Sequence, residues 1–217
     1  ARKYTVTRQE QDQYAYGSYL KTYKAIKNKY FKNELCQTNL KDEVRTDTTL
    51  VKLSQLKPVF KKKGSVSAGN ASSLNDGAAF LALASSEYIK TNRIKPLAKV
   101  LSWSSSAGNP NYMGITPITA IQKLMKKMSV NISFFDLIEI NEAFAATSVA
   151  VQRSLKIDPN KLNIVGGAIA LGHPIGCSGT RIVTTLAHQL KRTKKKFGVA
   201  SMCIGGGQGL AMAIEKL

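Results

Sequence analysis

Gly166-Gly167-Ala168-Ile169-Ala170-Leu171-Gly172-His173-Pro174-Ile175-Gly176-Cys177-Ser178-Gly179 is the stretch on which the reading turns. It holds five of the sixteen glycines and one of the two histidines. Glycine is used where the backbone takes positive φ or must approach another group closely. Pro174 freezes φ just after the histidine and removes a donor. His173 is therefore expected on a stiff, narrow turn. The run Cys177-Ser178-Gly179 leads into Thr180-Arg181-Ile182-Val183-Thr184-Thr185-Leu186, which reads as a helix over about 179–190. An imidazole at a helix N-terminus sits at the positive end of the dipole, which disfavours imidazolium. A lone histidine in a glycine-rich turn also has a purely structural reading, so the rest of the chain has to decide.

Moving outward, Leu162-Asn163-Ile164-Val165 reads as a strand before the glycine stretch. Gly198-Val199-Ala200-Ser201-Met202-Cys203 and Gly209-Leu210-Ala211-Met212-Ala213-Ile214-Glu215 read as two final strands, close enough for an antiparallel pair. Upstream, Phe135-Asp136-Leu137-Ile138-Glu139-Ile140 reads as a strand that runs into an Ala-rich helix from Asn141 to about Leu155. Thr116 with Pro117 has the signature of an N-cap and first helical residue, with Ile118, Ile121, Leu124 and Met125 on one face. Residues 98–104 read as a strand. Residues 5–32 read as a partly buried helix, with Thr7 and Glu10 at capping-box spacing. Thr48 through Leu56 forms a helical turn or two, closed by Pro58, and Leu74 to Lys90 reads as an Ala-rich segment ending in a helix. The alternation predicts an α/β layer, a mixed sheet with helices on both faces.

The chain has 217 residues and is 43% hydrophobic, enough for a core. No apolar run is long enough to span a bilayer, so no membrane partner is expected. Ala1-Arg2-Lys3-Tyr4 lacks both Met and a signal-like apolar region, and reads as the middle of a longer polypeptide. Three cysteines without disulfide or metal spacing indicate a reducing intracellular compartment, cytosol or mitochondrion. Two histidines and no CxxC argue against zinc, and no metal is expected. Net charge is +19, much of it in the lysine runs 61–63, 126–127 and 191–196. Such a field attracts anions. Aromatics are 7% and scattered, with no RNA-binding signature, so no specific nucleic-acid partner is expected.

Three polar groups fall at equivalent places. Asn141 ends one strand, His173 follows another, and Cys203 ends a third with glycines directly after it. Sites in open α/β sheets lie at strand carboxyl ends. Each residue has a bland alternative: an N-cap for Asn141, a buried inert thiol for Cys203. Together with backbone donors at Gly205-Gly206-Gly207, they suit acyl chemistry, where charge develops on oxygen and one proton moves at a time. Phosphate-loop and GxGxxG signatures are absent, and Ser178 is not in a GxSxG elbow because Thr180 occupies the second glycine position.

These residues resemble the thiolase family, most closely its biosynthetic acetyl-CoA acetyltransferase branch. The matching stretches are Asn141-Glu142-Ala143-Phe144-Ala145, residues 166–179, and Cys203-Ile204-Gly205-Gly206-Gly207. Three others are Ala68-Gly69-Asn70-Ala71-Ser72 with Asn75-Asp76-Gly77-Ala78-Ala79, Leu56-Lys57-Pro58-Val59-Phe60, and Arg8-Gln9-Glu10-Gln11-Asp12. The resemblance implies a thiolase-like α/β fold in which this chain is the C-terminal part: the second half plus part of the loop domain, with the N-terminal half absent. It implies boundaries of 1–73 for the remaining CoA-binding loop domain, 74–95 for the last segment of the first half, and 96–217 for the second half.

The resemblance also implies roles. His173 would be the base for a nucleophilic cysteine in the absent half, and would stabilise an oxyanion with a water held by Asn141. Cys203 would be the acid/base, and the Gly205 N–H would complete a second oxyanion hole. Ser72, Ala143 and Phe144 would line the pantetheine, Arg45 would lie near the adenine, and Met113 would floor a short acyl pocket. The implied reaction is reversible condensation of two acetyl-CoA to acetoacetyl-CoA and CoA, in a homo-oligomer (dimer or tetramer). Coenzyme A thioesters are substrates, and no cofactor is needed. The alternatives are a degradative 3-ketoacyl-CoA thiolase or a non-catalytic CoA- or anion-binding remnant. Ser73 and Thr116 stand where the family usually has glycine, Glu34 to Asp42 is shorter than the family's loop, and Cys177 receives no role.

Overall fold

The computed structural model describes residues 1–36 and 44–217. Most of the shortened segment between Glu34 and Asp42 therefore lies outside the described residues. Helix α1 (Arg8–Lys27) begins as its capping box predicts. Thr7 Oγ1 accepts the Glu10 N–H, and the Glu10 carboxyl accepts the Thr7 N–H. Its buried residues include Gln11, Ala15, Ser18, Thr22 and Ala25, which share one face at helical spacing. Three of those five are polar, so hydropathy alone points to no buried face. Helix α2 (Leu50–Gln55) starts at Thr49, whose side chain accepts the Lys52 N–H. Arg8 ties the two helices together. Its guanidinium pairs with Asp12 and donates to the carbonyls of Leu53 and Leu56.

Residues 74–84 carry no helix or strand and make no backbone hydrogen bond among the described residues. The helix expected at the end of this stretch is the short α3 (Ser86–Thr91), capped by Ser85. The sheet follows: β1 (Ala98–Ala107), β2 (Leu137–Ile140), β3 (Phe197–Ile204) and β4 (Gln208–Lys216), in the order β1-β4-β3-β2. β3 and β4 form the expected antiparallel hairpin, turning through Gly206 and Gly207 at φ +91° and +95°. β2 and β3 are parallel, because α5 (Ala145–Ser154), α6 (Ala168–Leu171) and α7 (Ile175–Thr193) form a long crossover between them.

The strand alternation sorts the core into two layers. Ile138, Ile140, Val199 and Ala213 pack with Ile121 and Leu124 of α4 (Thr116–Met128) and Val151 of α5. Leu137, Ala200 and Ile214 pack on the other face with Ile182, Leu186 and Leu190 of α7. α1 lies across α5 and α6, where Ala15, Tyr19, Ala145 and Ile169 share a buried cluster. Helices α1 and α2 are thus joined to α5 and α6 by common apolar contacts.

Three local expectations need correction. Residues 162–165 form no strand; they contribute only isolated bridges, Ile138 with Leu162 and Ile164 with Gly166. The reason is Asn163, at φ +44°, whose side chain takes over the ladder by accepting the Ile140 N–H and donating to the Ile140 carbonyl. Thr116 is the first residue of α4 and caps nothing; its hydroxyl lies within hydrogen-bonding range of the Met113 and Gln208 carbonyls. α5 begins only at Ala145, four positions after Asn141, which leaves the Asn141 amide free for other work.

Glu139 on β2 is 2% exposed, and one of its carboxyl oxygens has no partner. Burial pushes its pKa up from 4.5 to about 8, with Arg181 of α7 opposing the shift. The folded state then binds this proton more tightly than the unfolded chain does. The contribution of this group to stability is accordingly full below the ordinary carboxylate value and is lost as pH rises toward 8. Glu139→Gln keeps the neutral shape and should flatten that decline by at most about 1.4 kcal/mol per pH unit. Urea unfolding of both proteins across this pH range checks it.

Candidate active site

The His173 turn is built by close packing on glycine. Gly172 sits at φ +93°, and a Cβ there would lie 2.1 Å from the end of the Asn75 side chain. The His173 N–H donates to the Ser73 carbonyl, so the segment after Ser72 holds the turn from outside. Pro174 caps α7 directly behind the ring. His173 Nε2 is 3.1 Å from Asn141 Nδ2, and Nδ1 is 2.6 Å from Ser178 Oγ. Burial holds the imidazole below its ordinary pKa, and the charge of Arg181 acts in the same direction. The ring is therefore neutral at physiological pH.

Asn141 is 3% exposed and leaves β2 beside β3, its N–H donating to the Ser201 carbonyl. Its Oδ1 is buried without a partner. Cys203 lies two residues further along β3, opposite Gly209 of β4. It is thus at the same end of the sheet as Asn141, but it makes no hydrogen bond to Asn141 or His173. Burial pushes the Cys203 thiol up, which keeps it protonated and able to act as an acid. A Cβ on Gly205 would meet nothing within 4 Å, so the backbone at the hairpin tip faces open space. A neutral imidazole, a carboxamide, a protonated thiol and accessible backbone donors suit chemistry that develops negative charge on oxygen and sulfur. No grouping of His, Cys, Asp and Glu that could hold a metal occurs among the described residues.

The expected binding residues fall along one seam. Ser72 N and Oγ both donate to the Ala143 carbonyl, and Ala71 bridges to Phe144. The Phe144 ring meets Phe60 edge to face at 6.1 Å. Arg45 Nη1 reaches the Ala68 carbonyl at 3.5 Å, on the approach to the same seam. Met113 is apart from these, 38% exposed on the turn before α4.

Two groups escaped the motif reading. Glu142 is 1% exposed and accepts hydrogen bonds from Tyr14, Ser18, Asn163 and the Ile169 N–H. Ser178 is fully buried against the His173 ring. The available signal for Ser178 was its place in the first turn of a helix opened by Pro174, which aims it back at residue 173.

Against known families, residues 94–216 match the thiolase C-terminal domain and residues 1–87 match the thiolase N-terminal domain. The chain belongs to the thiolase family. Among curated relatives, a probable acetyl-CoA acyltransferase of Staphylococcus aureus is 44% identical over 100% of this chain and 58% of its own length. The mitochondrial 3-ketoacyl-CoA thiolase of Rattus norvegicus is 43% identical over 99% of this chain and 57% of its own length. Among solved structures, an acetyl-CoA acetyltransferase of Bacillus anthracis superposes with a TM-score of 0.95 at 44% identity, covering 100% of this chain and 58% of that one. Human mitochondrial 3-ketoacyl-CoA thiolase in complex with CoA gives 0.93 at 41% identity, covering 100% and 57%. The chain thus spans less than two thirds of the length of these proteins.

The match over 1–87 overturns one expectation. The chain is not the C-terminal part alone, nor a second half with only a piece of loop domain: it carries elements of both the N-terminal and the C-terminal domain. The expected boundaries assign residues 1–73 to a loop domain and only 74–95 to the first half, whereas the N-terminal-domain match runs from residue 1 to 87. In the structure the small-residue segments before Asn75 pair with residues 143–145 and brace the histidine turn, so both domains build the site.

Gly172→Ala tests that bracing. Positive φ and the collision with Asn75 should together cost roughly 1–3 kcal/mol of stability. They should also displace the His173 signals in an NMR spectrum, whereas Gly176→Ala, where a Cβ meets nothing within 4 Å, should move neither by a comparable amount.

Proposed function

We propose that this chain belongs to an enzyme that transfers acyl groups between thiols of coenzyme A and an enzyme cysteine. The observation that carries the reading is the 3.1 Å pairing of Asn141 with the neutral His173 ring, at the sheet end that also holds Cys203 and Gly205. His173 takes the proton from the acyl-accepting thiol. That thiol attacks the keto carbon of a 3-ketoacyl-CoA, the carbon–carbon bond breaks, and acetyl-CoA leaves as its enolate. Cys203 protonates the enolate carbon. Its thiolate then takes the proton of incoming CoA, whose sulfur attacks the acyl carbon and displaces the enzyme cysteine as a thiolate; His173 returns its proton to that sulfur. Dividing the transfer through an acyl-enzyme replaces one hard step by two easier ones.

Negative charge on the thioester oxygens meets His173, a water held by the Asn141 amide, and the Gly205 N–H. Ser72, Ala143, Phe144 and Phe60 supply a seam for pantetheine, with Arg45 toward the adenine end. We place the acyl-carrying cysteine outside these 217 residues. Cys177 is buried, Cys36 is exposed beside the undescribed segment, and the relatives extend well beyond the matched region. A homo-oligomeric assembly goes with this reading.

Thiolysis of longer 3-ketoacyl-CoA is favoured over a strictly acetyl-specific condensation. 3-Ketoacyl-CoA thiolases stand among the similar proteins at nearly the same identity as the acetyl-CoA enzymes. The acetyl-CoA condensation is the second reading, supported by the Bacillus anthracis similarity.

The test is CoA-dependent cleavage of acetoacetyl-CoA and of a longer 3-ketoacyl-CoA by the whole protein, followed by loss of the keto-thioester. Comparable or better rates on the longer substrate support the first reading; cleavage of acetoacetyl-CoA alone supports the second. Cys203→Ala should slow exchange of the acetyl-CoA α-protons with solvent by about 10²- to 10⁴-fold. Exchange at the unmodified rate would remove Cys203 from the mechanism.

A further inference from the structure

We infer that Ser178 is a positioning residue that locks His173 as the Nδ1–H tautomer and leaves Nε2 as the free base. The inventory of protons leads there. Ser178 Oγ has one proton, and it lies 2.9 Å from the Pro174 carbonyl, which can only accept. With that proton on the carbonyl, Oγ accepts from the ring, 2.6 Å away, and Nδ1 carries the hydrogen; the Asn141 side of the ring selects this arrangement over its reverse. Nε2 is then bare, and the Asn141 amide donates to it across 3.1 Å. Each donor along the row then meets an acceptor: Asn141 N–H to Nε2, Nδ1–H to Ser178, Ser178 O–H to Pro174.

The opposite tautomer is worse on the same count. It would set an N–H on Nε2 against the N–H of Asn141, so the amide would have to turn over. Turning it would place the amide NH₂ where Oδ1 now lies buried without a partner. An orphaned acceptor would become an orphaned donor pair, and buried unpaired donors are rare and costly. The Pro174 carbonyl also receives the N–H groups of Cys177 and Ser178, so this acceptor is fixed by the first turn of α7. Ser178 is fully buried and cannot turn to solvent for another partner.

The consequence concerns which nitrogen works. The lone pair faces Asn141, on the side where β2 and β3 end, and not the helix. When Nε2 takes a proton, the ring becomes a donor at both nitrogens. Asn141 must then turn Oδ1 toward the ring, at the cost just described, which favours the unprotonated ring at rest. The tautomer stands on geometry alone; only its use as a base rests on the acyl-transfer reading.

The experiment is ¹⁵N NMR of the imidazole nitrogens in the intact protein, above the pH at which the rings titrate. There are two histidines, so His188→Gln assigns the signals. Wild type should show His173 with the pyridine-like nitrogen at Nε2; a pyridine-like Nδ1 would overturn the proposal without any variant being made. Ser178→Ala should move the population toward the Nε2–H form that free histidine side chains prefer. A folded Ser178→Ala protein with the wild-type tautomer would remove Ser178 from the role. Neither result depends on turnover, so the acyl-transfer reading stands or falls separately on the thiolysis assay.

Discussion

One buried carboxyl group, that of Glu142, holds the molecule's parts in register. Tyr14 and Ser18 reach it from α1, Asn163 from the crossover, and the Ile169 N–H from α6. Gly167 is glycine for this reason: a Cβ there would lie 2.5 Å from the Glu142 carboxyl carbon. A buried polar network of this kind is favourable only when complete. Here it is complete, and the residue next to it is Asn141. The amide that faces the imidazole is thus anchored through its neighbour to α1, to the crossover and to the turn that leads to His173.

The second constraint is the histidine turn itself. It is closed from three directions, by Asn75 against Gly172, by the Ser73 carbonyl on the His173 N–H, and by α7 beginning at Pro174. Rigid placement matters because acid–base groups lose efficiency when their geometry is loose. The neighbourhood is also kept neutral: the ring is held unprotonated and the Cys203 thiol protonated. An uncharged site of fixed donors responds to charge that appears only as bonds change, which is the condition for stabilising a transition state more than a ground state.

Much of the fold is legible in local patterns. The Thr7 and Glu10 spacing announces the start of α1, and the apolar face of Ile118, Ile121 and Leu124 announces α4. The glycines after Cys203 announce a hairpin. Failures cluster where a side chain replaces backbone. Residues 162–165 have strand-like composition, yet Asn163 uses its amide to satisfy Ile140 and breaks the ladder. Thr116 has the look of a cap, yet its hydroxyl serves two carbonyls, one of them 92 residues away. The buried stripe of α1 is more than half polar because it faces Glu142 and the crossover rather than an oil-like core, so no hydropathy period reveals it.

The candidate site divides in the same way. Residue identities and their places near strand ends are local information: Asn141, His173, Cys203 and Gly205 stand out because glycine, proline and strand boundaries mark them. Which of them touch, which nitrogen of His173 carries its proton, and which buried groups support them depend on contacts between residues far apart in the chain. A hydrogen bond is decided by distance and direction in space. The partners Glu142–Ser18 and Gly172–Asn75 leave no periodic trace in composition, and only packing the two domains against each other brings them into being.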